Sequence, residues 1–171
     1  MKKLLSIVML AVAFSLPGLA QKFAFVDTDY ILNNIPSYKA AQEQINKLSA
    51  DWQKEVEAKY ADIDKMYKAY QSEKVLLSDE MKNKREEEIV KMEKEAKELQ
   101  KKYFGTEGAL YKKRQELVKP IQDEIYNAVK ELSVEQGFAV IFDTAAGMGM
   151  LYTNPKNDKS DEVLQRLGYK N

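Results

Sequence analysis

The side chains here that could do chemistry are carboxylates and lysines, because the chain has no histidine and no cysteine. Without histidine the commonest general base and metal ligand is missing. Without cysteine no disulfide can staple the fold. Acid–base work by carboxylates or lysine stays open on residue type alone, but spacing argues against it. The acids stand four residues ahead of lysines: Glu55–Lys59, Asp64–Lys68, Glu80–Lys84, Glu87–Lys91, Glu93–Lys97 and Glu98–Lys102. That spacing sets each pair side by side on a helix surface, worth about 0.3–0.5 kcal/mol. Acids paired in this way lie on solvated faces, with no pocket to shift their pKa values. Gly147-x-Gly149 has the look of a phosphate loop, but no helix or lysine follows it as such a loop requires. It reads as a hairpin turn. Lys112-Lys113-Arg114, on an otherwise neutral helix, reads as plain surface. No catalytic residue, cofactor or metal is expected, and the chain does not read as an enzyme.

The charged pairs belong to one stretch, Tyr38 to Lys119. It is bracketed by Pro36 and Pro120, holds no proline between them, and has no glycine before Gly105. Its apolar residues recur at threes and fours, the pattern of a long solvated amphipathic helix. The first arm has a seam of Tyr38, Ala41, Ile45, Leu48, Trp52, Val56, Tyr60, Ile63, Tyr67 and Tyr70. It is a heptad pattern with one added step of four between Trp52 and Tyr60, a stutter that locally relaxes supercoiling. The turn is predicted between Glu73 and Asp79. There Val75, Leu76 and Leu77 interrupt the seam, and Ser78, followed by Asp79 and Glu80, supplies an N-cap. The second arm carries Met81, Ile89, Met92, Ala96, Leu99, Tyr103, Leu110 and Leu117. The two seams suit an antiparallel hairpin. Arg85 falls where an apolar residue is expected and loosens the tip. The glycines of Phe104-Gly105-Thr106-Glu107-Gly108 leave a kink, close packing or continued helix open. Pro120 is expected to kink the helix or to start a new one.

The ends differ from the middle. Lys2 and Lys3, an apolar run from Leu4 to Leu16, a Pro17-Gly18 break and the small-x-small site Gly18-Leu19-Ala20 describe a secretory signal peptide, cleaved after Ala20. The run is shorter than the roughly 20 residues of a spanning helix, so no stable membrane insertion is expected after cleavage. The 27 basic residues less Lys2 and Lys3 leave 25 against 27 acids, a net of −2. That excludes the basic excess of a nucleic-acid binder. Lys22–Asp27 reads as a strand apolar on both faces, with Phe23 and Phe25 on one and Ala24 and Val26 on the other, and so buried on both. Asp27, Thr28 and Asp29 are N-cap candidates for a short helix over Tyr30–Asn34. After Pro120 the apolar stripe thickens through Ile121, Ile125, Tyr126, Val129 and Leu132, and Gly137 ends it. Phe138–Phe142 reads as a buried strand, Met148–Tyr152 as a second strand, and Ser160 as the cap of a last helix, Asp161–Arg166. The fold class is α+β and predominantly α. Residues 21–35 and 120–171 form a small β-rich body, and residues 36–119 form a long antiparallel helical hairpin with its tip near 73–79. So small a core calls for burial shared between subunits.

This layout resembles the Skp/OmpH family of periplasmic chaperones, in the version found in Bacteroidetes-type bacteria. The stretches that carry the resemblance are Phe25-Val26-Asp27 through Ile31-Leu32, Ile35-Pro36-Ser37-Tyr38-Lys39-Ala40-Ala41, Tyr103-Phe104-Gly105, Leu117-Val118-Lys119-Pro120-Ile121-Gln122, Ile141-Phe142-Asp143 and Ser160-Asp161-Glu162-Val163-Leu164. Each is weak alone; their order and spacing over the whole mature chain are specific. The resemblance implies a homotrimer whose β-rich body carries three helical tentacles around a cavity that holds unfolded outer-membrane proteins in the periplasm. It makes Phe23, Phe25, Val140, Ile141, Phe142, Met150 and Tyr152 candidates for the body and trimer interface. Client-binding candidates are Tyr60, Met66, Tyr67, Tyr70, Met81 and Met92. They join soft or ring surfaces to polar tips, and packing of arm against arm is the competing use for each. Enterobacterial members of the family are strongly basic and this chain is near neutral, so no lipopolysaccharide site is carried over. The rival reading is a structural one, a coiled-coil envelope spacer or assembly scaffold with an unbroken seam.

Overall fold

The computed structural model describes residues 22–147 and 149–169. The expected signal peptide and Met148 lie outside the described residues. The chain divides into two compact units: one takes the chain up to Ile31 and again from Tyr126, and the other is Leu32–Ile125.

In the first unit, strand β1 (Lys22–Val26) pairs in parallel with β2 (Phe138–Asp143). The register sets Phe23 against Val140 and Phe25 against Phe142, with Ala24 against Ile141 between them. Side chains alternate along a strand, so Phe23, Phe25, Val140 and Phe142 share one face. Ala24, Val26 and Ile141 share the other. Ala24 and Val26 are buried, as are Ala128, Leu132, Val163 and Leu164. The expectation that β1 is buried on both faces does not hold within one chain: Phe23 is 51% exposed and Val140 is exposed too. The β1 backbone also meets the C-terminal segment, since Lys159 N–H donates to Phe25 C=O at 2.8 Å.

Asp27 begins the short helix α1 (Thr28–Asn33), its Oδ1 accepting from Tyr30 N–H at 2.9 Å. Asp143 closes the far end of the strands. Its Oδ2 accepts from Thr28 Oγ1 at 2.7 Å, and its Oδ1 accepts from Thr28 N–H at 3.2 Å. Ser160 is not the cap expected of it. It is the first residue of α5 (Ser160–Arg166), and its buried hydroxyl accepts from Asp27 N–H at 2.8 Å and donates to Asp158 at 2.6 Å. A long-range tie to Asp27, just after β1, has taken the place of the local cap.

The expected second strand, Met148–Tyr152, is not a strand over its described residues 149–152. Gly147 and Gly149 take φ of 66° and 64°, the left-handed region open to glycine. They turn the chain into an irregular segment rather than a hairpin, and Leu151 and Tyr152 are exposed there. Strand-forming residues do not hold a strand without a backbone partner.

The second unit is built on a helical hairpin. Helix α2 (Pro36–Glu73) has 38 residues, about 57 Å at 1.5 Å per residue. Pro36 starts it, where a missing N–H costs nothing. The turn lies where expected: a 3-10 turn covers Lys74–Leu76. Ser78 then caps α3 (Asp79–Phe104), its hydroxyl accepting from Met81 N–H at 3.3 Å. Helix α3 ends before Gly105 and α4 (Ala109–Gln136) begins after Gly108, so the glycines interrupt the helix. Pro120 neither starts a helix nor ends one; α4 passes through it.

Of the expected ion-pair ladder, Asp64–Lys68 closes at 2.6 Å. Glu55 instead accepts from the Tyr103 hydroxyl at 2.7 Å, reaching across the hairpin rather than along it. Arg85, at 3.7 Å from Glu73 and 3.9 Å from Glu88, links the two arms near the tip.

Candidate functional site

Among the described residues no three acids stand as metal ligands would. What the fold does arrange is two apolar surfaces, one in each unit.

On the hairpin, burial on α2 runs through Ala41, Ile45, Val56, Ile63 and Tyr70. Near the tip, Ile63, Tyr70, Ile89 and Ala96 form a core, with Met66, Leu77 and Met92 packed on it. Near the base, Ala41, Ile45 and Val118 form another, with Tyr38, Leu110 and Leu117 around it. Three tyrosine hydroxyls tie arm to arm: Tyr70 to Glu86, Tyr60 to Gln100 at 3.3 Å, and Tyr103 to Glu55. Their partners fall on one arm as they rise on the other, which marks the antiparallel register.

The six client-binding candidates therefore divide. Tyr67 and Met81 are half exposed and Tyr60 somewhat less. Met66 and Met92 pack against the distal core. Tyr70 is 4% exposed and spends its hydroxyl on Glu86. Val75 and Leu76, not among the candidates, are the most exposed apolar residues of the tip. Their interruption of the seam pattern was the signal: an apolar residue at a turn has no arm to pack on.

The Tyr70–Glu86 bond carries a pH signature. That hydrogen bond first, and burial second, push the Tyr70 phenol up from 10.0 to about 12. The folded state thus holds the proton more tightly than the unfolded one. The tie contributes fully below about pH 10 and is lost as pH rises towards 12. Thermal unfolding followed by circular dichroism should show stability falling faster between pH 10 and 12 than in Tyr70→Phe. Parallel decline in the two proteins would show that the tie contributes nothing.

In the strand-bearing unit the open sheet face is aromatic. Phe25 and Phe142 stack with centroids 5.8 Å apart, and Phe23 meets Phe25 edge-on at 5.9 Å. Of the seven interface candidates, Phe23, Phe25, Val140 and Phe142 lie on this face. Ile141 lies on the other, which the alternation of β2 requires. Met150 and Tyr152 sit in the irregular segment and are exposed.

Residues 22–167 match the family model described as outer membrane protein (OmpH-like). The chain belongs to the OmpH-like family. An uncharacterized protein of Aquifex aeolicus (strain VF5) is 28% identical over 169 residues, covering 98% of this chain and 96% of that one. A crystal structure from Caulobacter crescentus CB15, whose name gives it as an OmpH-like outer membrane chaperone, superposes with a TM-score of 0.64 at 14% identity. The match covers 88% of this chain and 85% of that one. At that identity the likeness speaks to the fold: predominantly helical, with long helices and a small two-stranded sheet. Among the described residues no helix is long and apolar enough to cross a membrane.

Proposed function

We propose that this OmpH-like chain is an ATP-independent holdase that binds unfolded outer-membrane proteins in the periplasm and keeps them from aggregating. On this reading residues 1–20 direct export and are removed after Ala20, and the working form is a homotrimer. The observation that carries the proposal is the thin seam of the hairpin. Its two small cores leave Tyr60, Tyr67 and Met81 exposed alongside charged, solvated faces. Such a surface suits many weak contacts with an apolar chain, since tyrosine and methionine adapt to irregular partners. Met66, Tyr70 and Met92 would join only where the arms part.

The trimer is supported by the open aromatic face of the sheet. A two-stranded sheet is marginal alone, and Phe23 left half exposed, with Phe25 and Phe142 partly exposed beside it, calls for a covering surface. Copies of the same chain around a threefold axis would bury Phe23, Phe25, Val140 and Phe142 together. Met150 and Tyr152 would order at the same contact, and Ile141 would contribute from the inner face. The alternative of a rigid coiled-coil spacer needs an unbroken seam. The helix break at Gly105–Gly108 speaks against it.

The test is dilution of a urea-denatured outer-membrane barrel into buffer without nucleotide, with turbidity followed over time. A few-fold molar excess of the protein should suppress aggregation strongly. No suppression at that excess would overturn the holdase reading. Tyr67→Ser with Met81→Ser should weaken suppression several-fold while leaving the far-ultraviolet circular dichroism intact.

A further inference from the structure

With no cysteine in the chain, methionine carries its only sulfur. Of the seven methionines, two lie where the arms of the hairpin meet. Ile63, Met66 and Tyr70 follow i, i+3, i+7 along α2, and Ile89, Met92 and Ala96 repeat that spacing along α3. Each trio therefore shares one helix face. The two faces make the distal core, in which Ile63, Tyr70, Ile89 and Ala96 are buried and both methionines pack against them.

The cross-arm bonds set how the faces meet. Tyr103 bonds Glu55, and nearer the tip Tyr70 bonds Glu86. Met66 stands 11 residues beyond Glu55 on α2, and Met92 stands 11 residues before Tyr103 on α3. Both helices advance equally per residue, so Met66 comes level with Met92, one from each arm. Both are half-buried. A small oxidant can reach the sulfur, and the core feels the product. Met81 and Met150 are more open to solvent and belong to neither core of the hairpin.

A sulfoxide is out of place in this core. It turns a soft apolar side chain into a polar one, and its oxygen needs a donor if it stays buried. The Tyr70 hydroxyl is the one donor among the buried side chains, and it already donates to Glu86. The oxygen reaches water only if its side chain leaves the core. With four buried residues, the core then loses a packing partner from each arm.

We propose that Met66 and Met92 are a paired oxidation site, and that conversion of both to methionine sulfoxide parts the distal arms and uncovers Tyr70. The reagent is a small two-electron oxidant such as hydrogen peroxide. A sulfur lone pair attacks one peroxide oxygen, the S–O bond forms and the O–O bond breaks. The departing hydroxide takes the proton left on the transferred oxygen and becomes water. Sulfur loses two electrons and the peroxide gains them. A methionine sulfoxide reductase reverses the change. The site stands whatever the arms bind. Its use rests on the holdase reading: parted arms add Tyr70 and its neighbours to the client surface, so oxidation raises holding capacity.

The purified chain is treated with hydrogen peroxide, quenched with free methionine, and followed by peptide mass mapping and hydrogen exchange. One oxygen should appear on each of Met66 and Met92. Amide exchange over residues 60–72 and 86–98 should rise roughly ten-fold, as local opening requires, while exchange around Ile45 and Val118 stays unchanged. Methionine sulfoxide reductase should restore slow exchange. Met66→Leu with Met92→Leu keeps the volume and removes the sulfur, so peroxide should leave its exchange unchanged. Either leucine substitution alone should give an intermediate rise, and Met81→Leu with Met150→Leu should respond as wild type does. No oxygen on Met66 and Met92 at a dose that oxidises Met81 would overturn the proposal. So would oxidation without faster distal exchange, or equal acceleration in the Met66→Leu, Met92→Leu protein and in wild type. Suppression of aggregation by untreated protein tests the holdase reading without oxidant or variant, so the two fail separately. Oxidised protein that suppresses aggregation no better than untreated protein would overturn the proposed use.

Discussion

Phe25→Asp combined with Phe142→Asp should convert the assembled protein to monomers while leaving its helical circular dichroism nearly unchanged. In a single chain Phe25 and Phe142 are partly exposed, so carboxylates placed there keep access to water. In the proposed trimer the same positions are enclosed. An uncompensated charge in such a place costs roughly 3–5 kcal/mol, and rotational symmetry repeats the substitution in every copy. At 1.4 kcal/mol per tenfold, each subunit contact should weaken by roughly a hundredfold to several-thousandfold. Light scattering on a sizing column measures the outcome. A mass unchanged from wild type at micromolar concentration would mean that assembly does not use this face. Tyr126→Asp, at an exposed position away from the sheet strands, is the matching control and should leave the mass alone.

Ile45→Ala should destabilise the hairpin by about 2–5 kcal/mol, the range for deleting a fully buried aliphatic side chain. Ile45 is 1% exposed, and its base core has only Ala41 and Val118 as its other buried members. So small a cluster has few neighbours to close over a cavity, which places the loss towards the upper end. Ile45→Val should cost about 0.5–1.5 kcal/mol. Urea titrations followed by circular dichroism give the comparison. If alanine costs no more than valine, the base core is not what holds the arms together. Lys47→Ala, on the exposed side of the same helix, should change stability by less than about 0.5 kcal/mol.

Local chemistry was legible from the sequence wherever one or two residues decide the conformation. Ser78 ahead of Asp79 and Glu80 marks a helix start, and the start is there. Gly137, at φ 68°, ends α4 as expected. Pro120 does not start a new helix, one of the two outcomes expected of it: α4 continues through it, and Val118, Ile121 and Ile125 are all buried around it. The glycines after Phe104 stayed ambiguous because glycine tolerates both helix and break. Only the backbone clashes a Cβ would meet show why they are needed.

Non-local pairings were hidden. Phe138–Phe142 is continuously apolar, so nothing within it tells which residues turn outward; the register with β1 assigns Ile141 inward and Phe142 outward. The Met150–Tyr152 segment has strand-forming residues, but a strand needs a partner that this chain does not itself supply. Tyr70 has the composition of an adhesive group, and its burial against Glu86 depends on a residue from the other arm. The two candidate surfaces were therefore located in outline, while the availability of each side chain had to come from the fold.

The parallel pairing of β1 with β2 has a kinetic consequence. The N-terminal strand is made first, yet its partner begins only at Phe138, beyond the whole hairpin. The arms need only close a short turn, so their distal contacts can form as soon as α3 has been synthesised, whereas the sheet must wait for the last fifth of the chain. Closing so large a loop is entropically dearer than closing a turn, though the cost grows only as the logarithm of its length, and contacts of high sequence separation form slowly. Pre-folding of the arms shortens the effective loop and brings the strands within reach. The hairpin is thus an early folding unit and the sheet a late one. Until the sheet closes, Phe23 and Phe25 wait as an unpaired apolar segment, open to aggregation.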